Sequence, residues 1–139
     1  MNHSNKTRRN YKLQYREKNK GCPFCPPHIT GREIKEFTNF VIIENGVKYD
    51  FWEGHKVTEH LLLIPKAHIK SLAELQQSEY KELMTIFAQY ESDGYSVYAR
   101  GVGSPRRSVE HQHTHLIKIE NKRPRAILFI NKPYFLFKI

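Results

Sequence analysis

The stretch "SVEHQHTHLI", residues 108–117, places His111, His113 and His115 at alternate positions. A strand displays every second side chain on one face and rises about 3.3 Å per residue. Three imidazoles are therefore expected in a row on one face of a sheet, about 7 Å from one to the next. Imidazole is suited to switching protonation near neutral pH, to nucleophilic attack and to metal ligation. Such a strand needs partners, and the rest of the chain supplies them.

"EHLLLIPK" (59–66) reads as a buried strand that Pro65 stops. "EFTNFVIIENGVKYDFW" (36–52) reads as two strands joined at Asn45-Gly46, a short-hairpin signal. In "SEYKELMTIFAQYESDG" (78–94), Tyr80, Leu83, Met84, Phe87 and Tyr90 recur at helical spacing, and Asp93-Gly94 ends the helix. "YSVYARG" (95–101) is a fourth strand and "GVGSPRR" (101–107) a loop rich in glycine and positive charge. The histidine run makes a fifth strand, and "AILFINKPYFLFKI" (126–139) looks like further strand. With one long helix among several strands, the expected class is α+β, an antiparallel sheet with that helix packed on it.

The 139 residues suit one domain with a real core, and 39% hydrophobic residues suit a globular fold. The organisation expected is a basic arm over 1–20 and a folded domain over 21–139. No run approaches the ~20 apolar residues of a membrane span, and the basic start has no apolar signal segment. A cytoplasmic protein is expected, with a transit peptide as the alternative reading of the arm. The net charge of +9 suits either a solvated basic surface or attraction to polyanions, nucleic acid or phosphorylated small molecules. There is no aromatic-interleaved RNA-binding signature and no recognition helix, so nucleic acid is not the favoured partner.

The two cysteines form Cys22-Pro-Phe-Cys25. Without an export signal, a metal site or redox pair is favoured over a disulfide. A thioredoxin-like role fits poorly, because prolines follow the motif at once. A tetrahedral zinc site needs four N or S ligands, so histidines would have to complete it. Two idle thiols remain the bland alternative.

"HLLLIPKAHIKSLAEL" from His60, followed by "SVEHQHTHLI", resembles the histidine-triad (HIT) superfamily of nucleotide hydrolases and transferases. The resemblance spans roughly residues 21–119, and the Cys-x-x-Cys resembles the zinc-bearing members. It implies that His113 is the nucleophile attacking the α-phosphorus to form a nucleotidyl-histidine. His115 and His60 would line the site, with Ser108 near the leaving group. Arg106 and Arg107 would hold phosphate, and Asp50 is the nearest match to the acidic residue that holds the ribose. The resemblance further implies structural zinc on Cys22, Cys25, His68 and His111, a nucleotide or nucleotide-conjugate substrate, and a homodimer whose sheet continues across the two-fold axis.

The sequence departs from the family's pattern in three places. Gln112 and Thr114 stand where apolar residues are usual, which predicts a less buried or polar-partnered opposite face. Arg106-Arg107 replaces a glycine-glutamine pair, and the C-terminal segment is unlike the usual tail. Two other readings stay open: a metal-centred hydrolase with the ion on the HxHxH run, and a zinc-stabilised nucleic-acid-binding module without turnover.

Overall fold

The computed structural model describes residues 21–122. The basic arm over 1–20 and the C-terminal strand expected over 126–139 lie outside them. Six strands and one long helix follow in the order β1 (Glu33–Glu36), β2 (Phe40–Glu44), β3 (Phe51–Trp52), β4 (His55–Pro65), α1 (Gln77–Ser92), β5 (Ser96–Tyr98) and β6 (Thr114–Ile119). The main sheet runs β1-β2-β4-β6-β5, and β3 pairs with the start of β4. Every pairing is antiparallel. The architecture is the expected α+β class.

Alternation along the central strands divides the core into two layers. Phe40, Ile42, Leu63 and Leu116 face α1, where Leu83 and Ile86 meet them. Val41, Ile43, Leu62 and Ile64 face the opposite side, under Phe24 and Ile29 of the cysteine segment and Val109. The helix begins where the Gln76 amide donates to Glu79 Oε1 at 3.1 Å, and it stops at Gly94, whose φ of 93° suits glycine. Its buried face differs from the expected one. Ile86 is buried, while Met84 is 61% exposed, because the helix lies on the sheet along the Leu83–Ile86 line.

Asn45-Gly46 does not close a hairpin. The Asn45 amide donates to the His60 carbonyl at 2.9 Å, continuing the β2–β4 ladder, while its side-chain oxygen accepts from the Val47 amide at 3.0 Å. That side-chain turn sends the chain away from β2 instead of back along it. The tight hairpin is one turn later, between Trp52 and His55. Glu53 and Gly54 there have φ of 51° and 77°, the two positive values a mirror-type two-residue turn requires.

The histidine run is also less regular than expected. Strand β6 starts only at Thr114, so His115 alone of the three sits within it. Gln112 and Thr114 are 4% and 1% exposed, so of the two expectations for that face the less buried one fails and the polar-partnered one holds. The two satisfy each other, the Gln112 amide donating to Thr114 Oγ1 at 3.2 Å. Thr114→Val strands a buried amide and is expected to cost about 1–3 kcal/mol. The double change Gln112→Leu with Thr114→Val is expected to recover most of it. Denaturant unfolding of Thr114→Val, Gln112→Leu and the double change measures the coupling, and additive losses would break the pairing argument.

Candidate functional site

The face of the sheet opposite α1 carries the chemistry. His60 on β4 and His115 on β6 are buried there, two rungs apart in register, since Leu62 pairs with His115 and His60 with Ile117. The Tyr49 amide donates to His60 Nδ1 at 3.0 Å. In the neutral ring the proton of His60 is then on Nε2, which donates to His115 Nδ1 at 2.8 Å. That contact in turn places the proton of neutral His115 on Nε2. The Asn45 side-chain amide lies 3.2 Å from His60 Nε2, closing the edge of the ring. Backbone and side-chain hydrogen bonds thus dictate two tautomers in sequence.

His113 is held differently. Its Nδ1–H donates to the His111 carbonyl at 2.9 Å, which leaves the lone pair on Nε2. Burial pushes its pKa down to about 4; the hydrogen bond opposes the shift, and the positive charges of Arg107 and Arg100 reinforce it. The ring is neutral at pH 7. It lies edge-on to His115, with centroids 5.2 Å apart, and edge-on to Phe24 at 5.0 Å. The spacing is tighter than the regular-strand value because His113 precedes β6.

His111 turns away to a separate cluster. Cys22, Cys25, His68 and His111 present ligand atoms that all lie within 4.8 Å of one another. Among the described residues this is the one such group of three or more histidines, cysteines or carboxylates. His111 Nδ1 lies 3.5 Å from Cys22 Sγ, 3.4 Å from Cys25 Sγ and 3.2 Å from His68 Nδ1, and Cys25 Sγ lies 3.2 Å from His68 Nδ1. His111 Nε2–H donates to the Pro65 carbonyl at 2.8 Å, so Nδ1 carries the lone pair toward the sulfurs. Burial pushes the His111 pKa down, which also favours a neutral ring. Burial and the neighbouring Cys22 push the Cys25 thiol up to about 11, so thiolates here call for a cation. The arrangement is a candidate metal site.

The remaining expected residues are less central. Asp50 is exposed, next in sequence to Tyr49. Ser108 and Arg106 are exposed on the loop before the histidines. Arg107 aims its guanidinium at the backbone carbonyls of Val109, Lys70 and Glu110, which fastens the loop.

Four other side chains border the histidines that sequence reasoning did not single out. Phe24, inside the Cys-x-x-Cys, wedges between His111 and His113. Tyr49 stacks on His115 with centroids 5.4 Å apart, and Tyr98 lies at 5.7 Å from the same ring. Arg100 donates to the Tyr49 hydroxyl at 2.7 Å and to the Arg106 carbonyl at 2.7 Å. The sequence carried one usable signal for them, the aromatic clusters "YDFW" (49–52) and "YSVYAR" (95–100). Only the folded sheet shows that Tyr49 and Tyr98 converge on His115, Tyr98 as its partner across β5 and β6.

No protein-family model matches the chain, and no curated protein matches it in sequence. Solved structures do match in fold. A HIT family hydrolase from Clostridium thermocellum superposes with a TM-score of 0.52 at 21% identity, covering 79% of this chain and 100% of that one. A histidine triad protein from Clostridium difficile gives 0.51 at 20% identity, covering 79% and 99%. A Streptococcus mutans protein gives 0.55 at 20% identity, covering 84% and 77%. By the course of its backbone, with an antiparallel sheet, one main helix and the histidines on the face away from that helix, this chain has the fold of the histidine-triad proteins.

Proposed function

We propose that the chain is a nucleotide hydrolase or nucleotidyltransferase that works at the α-phosphorus through a nucleotidyl-His113 intermediate. The observation that carries this reading is the state of His113: a neutral ring, Nδ1–H tied to the His111 carbonyl, lone pair on Nε2. The hydrolase named among the solved neighbours shares this fold and supports the class.

In the first step the Nε2 lone pair forms a bond to the α-phosphorus while the bond from phosphorus to the leaving oxygen or nitrogen breaks. The leaving atom keeps the electron pair and takes a proton from solvent. In the second step a water oxygen, or another acceptor hydroxyl, bonds to phosphorus. The P–N bond breaks, its electrons return to Nε2, and the acceptor's proton leaves to solvent. The substrate class is a nucleoside phosphoramidate, dinucleoside polyphosphate or other nucleotidyl conjugate. We assign His115 Nε2–H to a phosphoryl oxygen, with His60 holding that tautomer, and Ser108 to the neighbourhood of the leaving group. Arg106 takes outer phosphate, Arg107 shapes the loop and lends charge, and Asp50 serves the ribose.

The metal in this reading is zinc on Cys22, Cys25, His68 and His111, and its work is architectural. Zn–S and Zn–N bonds of about 2.3 and 2.0–2.1 Å define a tetrahedron with edges of about 3.3–3.8 Å. Four of the six separations in the group, those of His111 from Cys22, Cys25 and His68 and that of Cys25 from His68, are 3.2–3.5 Å and fit such a set, and all lie within 4.8 Å. When bound, zinc clamps the cysteine segment, and with it Phe24, onto the histidines. A metal on the HxHxH run itself is disfavoured, because His60 Nε2 and His115 Nδ1 face each other as a hydrogen-bonded pair. No helix among the described residues is long and apolar enough to cross a membrane. A homodimer joined through the sheet completes the proposal; among the described residues β5 is an edge strand, with Val97 exposed.

The test is a panel of nucleotide conjugates incubated with the protein, quenched with base and read by mass spectrometry. Base preserves the acid-labile P–N bond. The expected result is a mass increase of one nucleotidyl group on the peptide carrying His113. Turnover with no adduct at any time point, or an adduct elsewhere, refutes the assignment.

A further inference from the structure

The χ2 torsion of a histidine has no sharp preference of its own, so the neighbours of the ring decide where its nitrogens point. Strand β6 fixes the backbone of His115, and the hydrogen bond from His60 Nε2 at 2.8 Å holds one edge of its ring. Three aromatic rings wall it, and with His115 they form a closed circuit. His115 stacks on Tyr49 with centroids 5.4 Å apart, and Tyr49 stacks on Trp52 at 5.9 Å. Trp52 tilts against Tyr98 at 4.8 Å, and Tyr98 returns to His115 at 5.7 Å. Tyr98 is also the cross-strand partner of His115. The segment that leads into β3 closes the circuit, because it brings Tyr49 and Trp52 to the β5–β6 pair.

Tyr49 is anchored at both ends. Its amide donates to His60 Nδ1 at 3.0 Å, and its ring tilts on that of His60 with centroids 4.3 Å apart. At the far end its hydroxyl accepts from Arg100 Nη2 at 2.7 Å. Arg100 Nη1 donates to the Arg106 carbonyl at 2.7 Å, so one rigid fork ties the Tyr49 ring to the loop before the histidines. Tyr49 is 3% exposed, and in a close-packed interior its ring cannot swing aside without moving its neighbours. We propose that Tyr49 is a positioning residue: latched by Arg100, its ring holds His115 in the orientation that accepts from His60 and leaves Nε2–H to the reaction. The proposal rests on the role given to His115 in the preceding reading. The Tyr49 amide acts on the tautomer through His60 and its ring on the orientation of His115, so one residue sets both. An aliphatic side chain of similar size would fill the space without offering the flat face on which an imidazole stacks.

Tyr49→Leu keeps the amide and the apolar bulk but removes the flat face and the hydroxyl; Tyr49→Phe gives back the face alone. Nitrogen NMR of the full-length protein with isotope-labelled histidine reads the tautomers directly. The bare and protonated nitrogens of a neutral imidazole resonate far apart, and a ring exchanging between tautomers averages them. In the unaltered protein His115 is expected to show a bare Nδ1 and a protonated Nε2. In Tyr49→Leu the two resonances are expected to move toward each other, with kcat lower by about 10- to 100-fold and KM little changed. Tyr49→Phe is expected to restore more than half of both effects. A role in packing alone would lower the melting temperature and leave the resonances in place. Should Tyr49→Leu fail to fold, the latch carries the test. Tyr49→Phe and Arg100→Gln remove the same hydrogen bond from opposite ends, so their effects on the His115 resonances are expected not to add in the double variant. Unmoved resonances in a folded Tyr49→Leu protein, a Tyr49→Phe protein no better than it, or additive effects at the latch overturn the proposal. The resonances do not depend on turnover. If they move in Tyr49→Leu while the unaltered protein turns over no nucleotide conjugate, the catalytic reading is retired and the positioning of His115 stands, whereas turnover with unmoved resonances does the reverse.

Discussion

His113→Asn is expected to fold, keep its metal and bind nucleotide, yet to lose turnover by roughly a thousandfold or more. Loss of a covalent nucleophile removes the whole two-step route, and effects of that size are usual for such residues. Asparagine is the informative replacement. Its side-chain amide can still donate to the His111 carbonyl that the imidazole now holds at 2.9 Å, so the local backbone keeps its partner. It also leaves no cavity against Phe24 as large as alanine would. The measurement is kcat on a nucleotide conjugate together with metal content and melting temperature. Substantial residual turnover in a folded, metal-loaded His113→Asn protein ends the nucleophile assignment, and the binding-module reading then leads.

Much of this site was legible because its residues repeat at short, regular intervals. Alternation put His115 on β6 with His113 just before it, and the His-apolar-Ile-Pro-Lys-x-His run placed His60 on the neighbouring β4 with His68 just past its end. What the alternation did not reveal is the division of labour. His111, His113 and His115 look alike in sequence, but each ring nitrogen is assigned by a backbone partner: the Pro65 carbonyl, the His111 carbonyl, and the Tyr49 amide acting through His60. Those partners become neighbours only after the sheet pairs. The same holds for Arg100, whose contacts to Tyr49 and Arg106 depend on where β5 and the loop after it end up.

The fold was legible where burial alone decides it. "FVII" and "LLLIP" are apolar enough to be central strands whatever surrounds them, and both are buried except for the half-buried Leu61. The misplaced hairpin shows the limit. Asn45-Gly46 has the residues of a tight turn, yet the ladder carried on to His60 and the turn formed at Glu53-Gly54. Local turn propensity is a weak preference, and register along a buried strand outweighs it. The helix tells a similar story: periodicity gave Met84 and Phe87 equal standing, and the angle at which α1 meets the sheet left Met84 outside.

His111→Asn is expected to do the opposite of the change two residues away: lose the metal, and with it stability. Structural zinc supplies part of the folding free energy, about 10–16 kcal/mol in small zinc modules at pH 7. Removing one of four ligands forfeits enough of it that a fall in melting temperature of roughly 10 °C or more is expected. The loss should spread beyond the ion, since Phe24 of the cysteine segment packs on both His111 and His113 and is one of the core residues on that face. Chelation of the wild-type protein should reproduce the lower melting temperature, with turnover declining as the cysteine segment loosens and not in step with metal removal alone. A generic packing role would give His111→Asn and His113→Asn similar phenotypes, because both residues are buried and both touch Phe24. A catalytic ion shared across the run would make both variants metal-poor and inactive. Metal content by elemental analysis, melting temperature and turnover, measured side by side, separate the three cases. A His111→Asn protein that keeps one metal per chain and its melting temperature would return Cys22 and Cys25 to idle thiols.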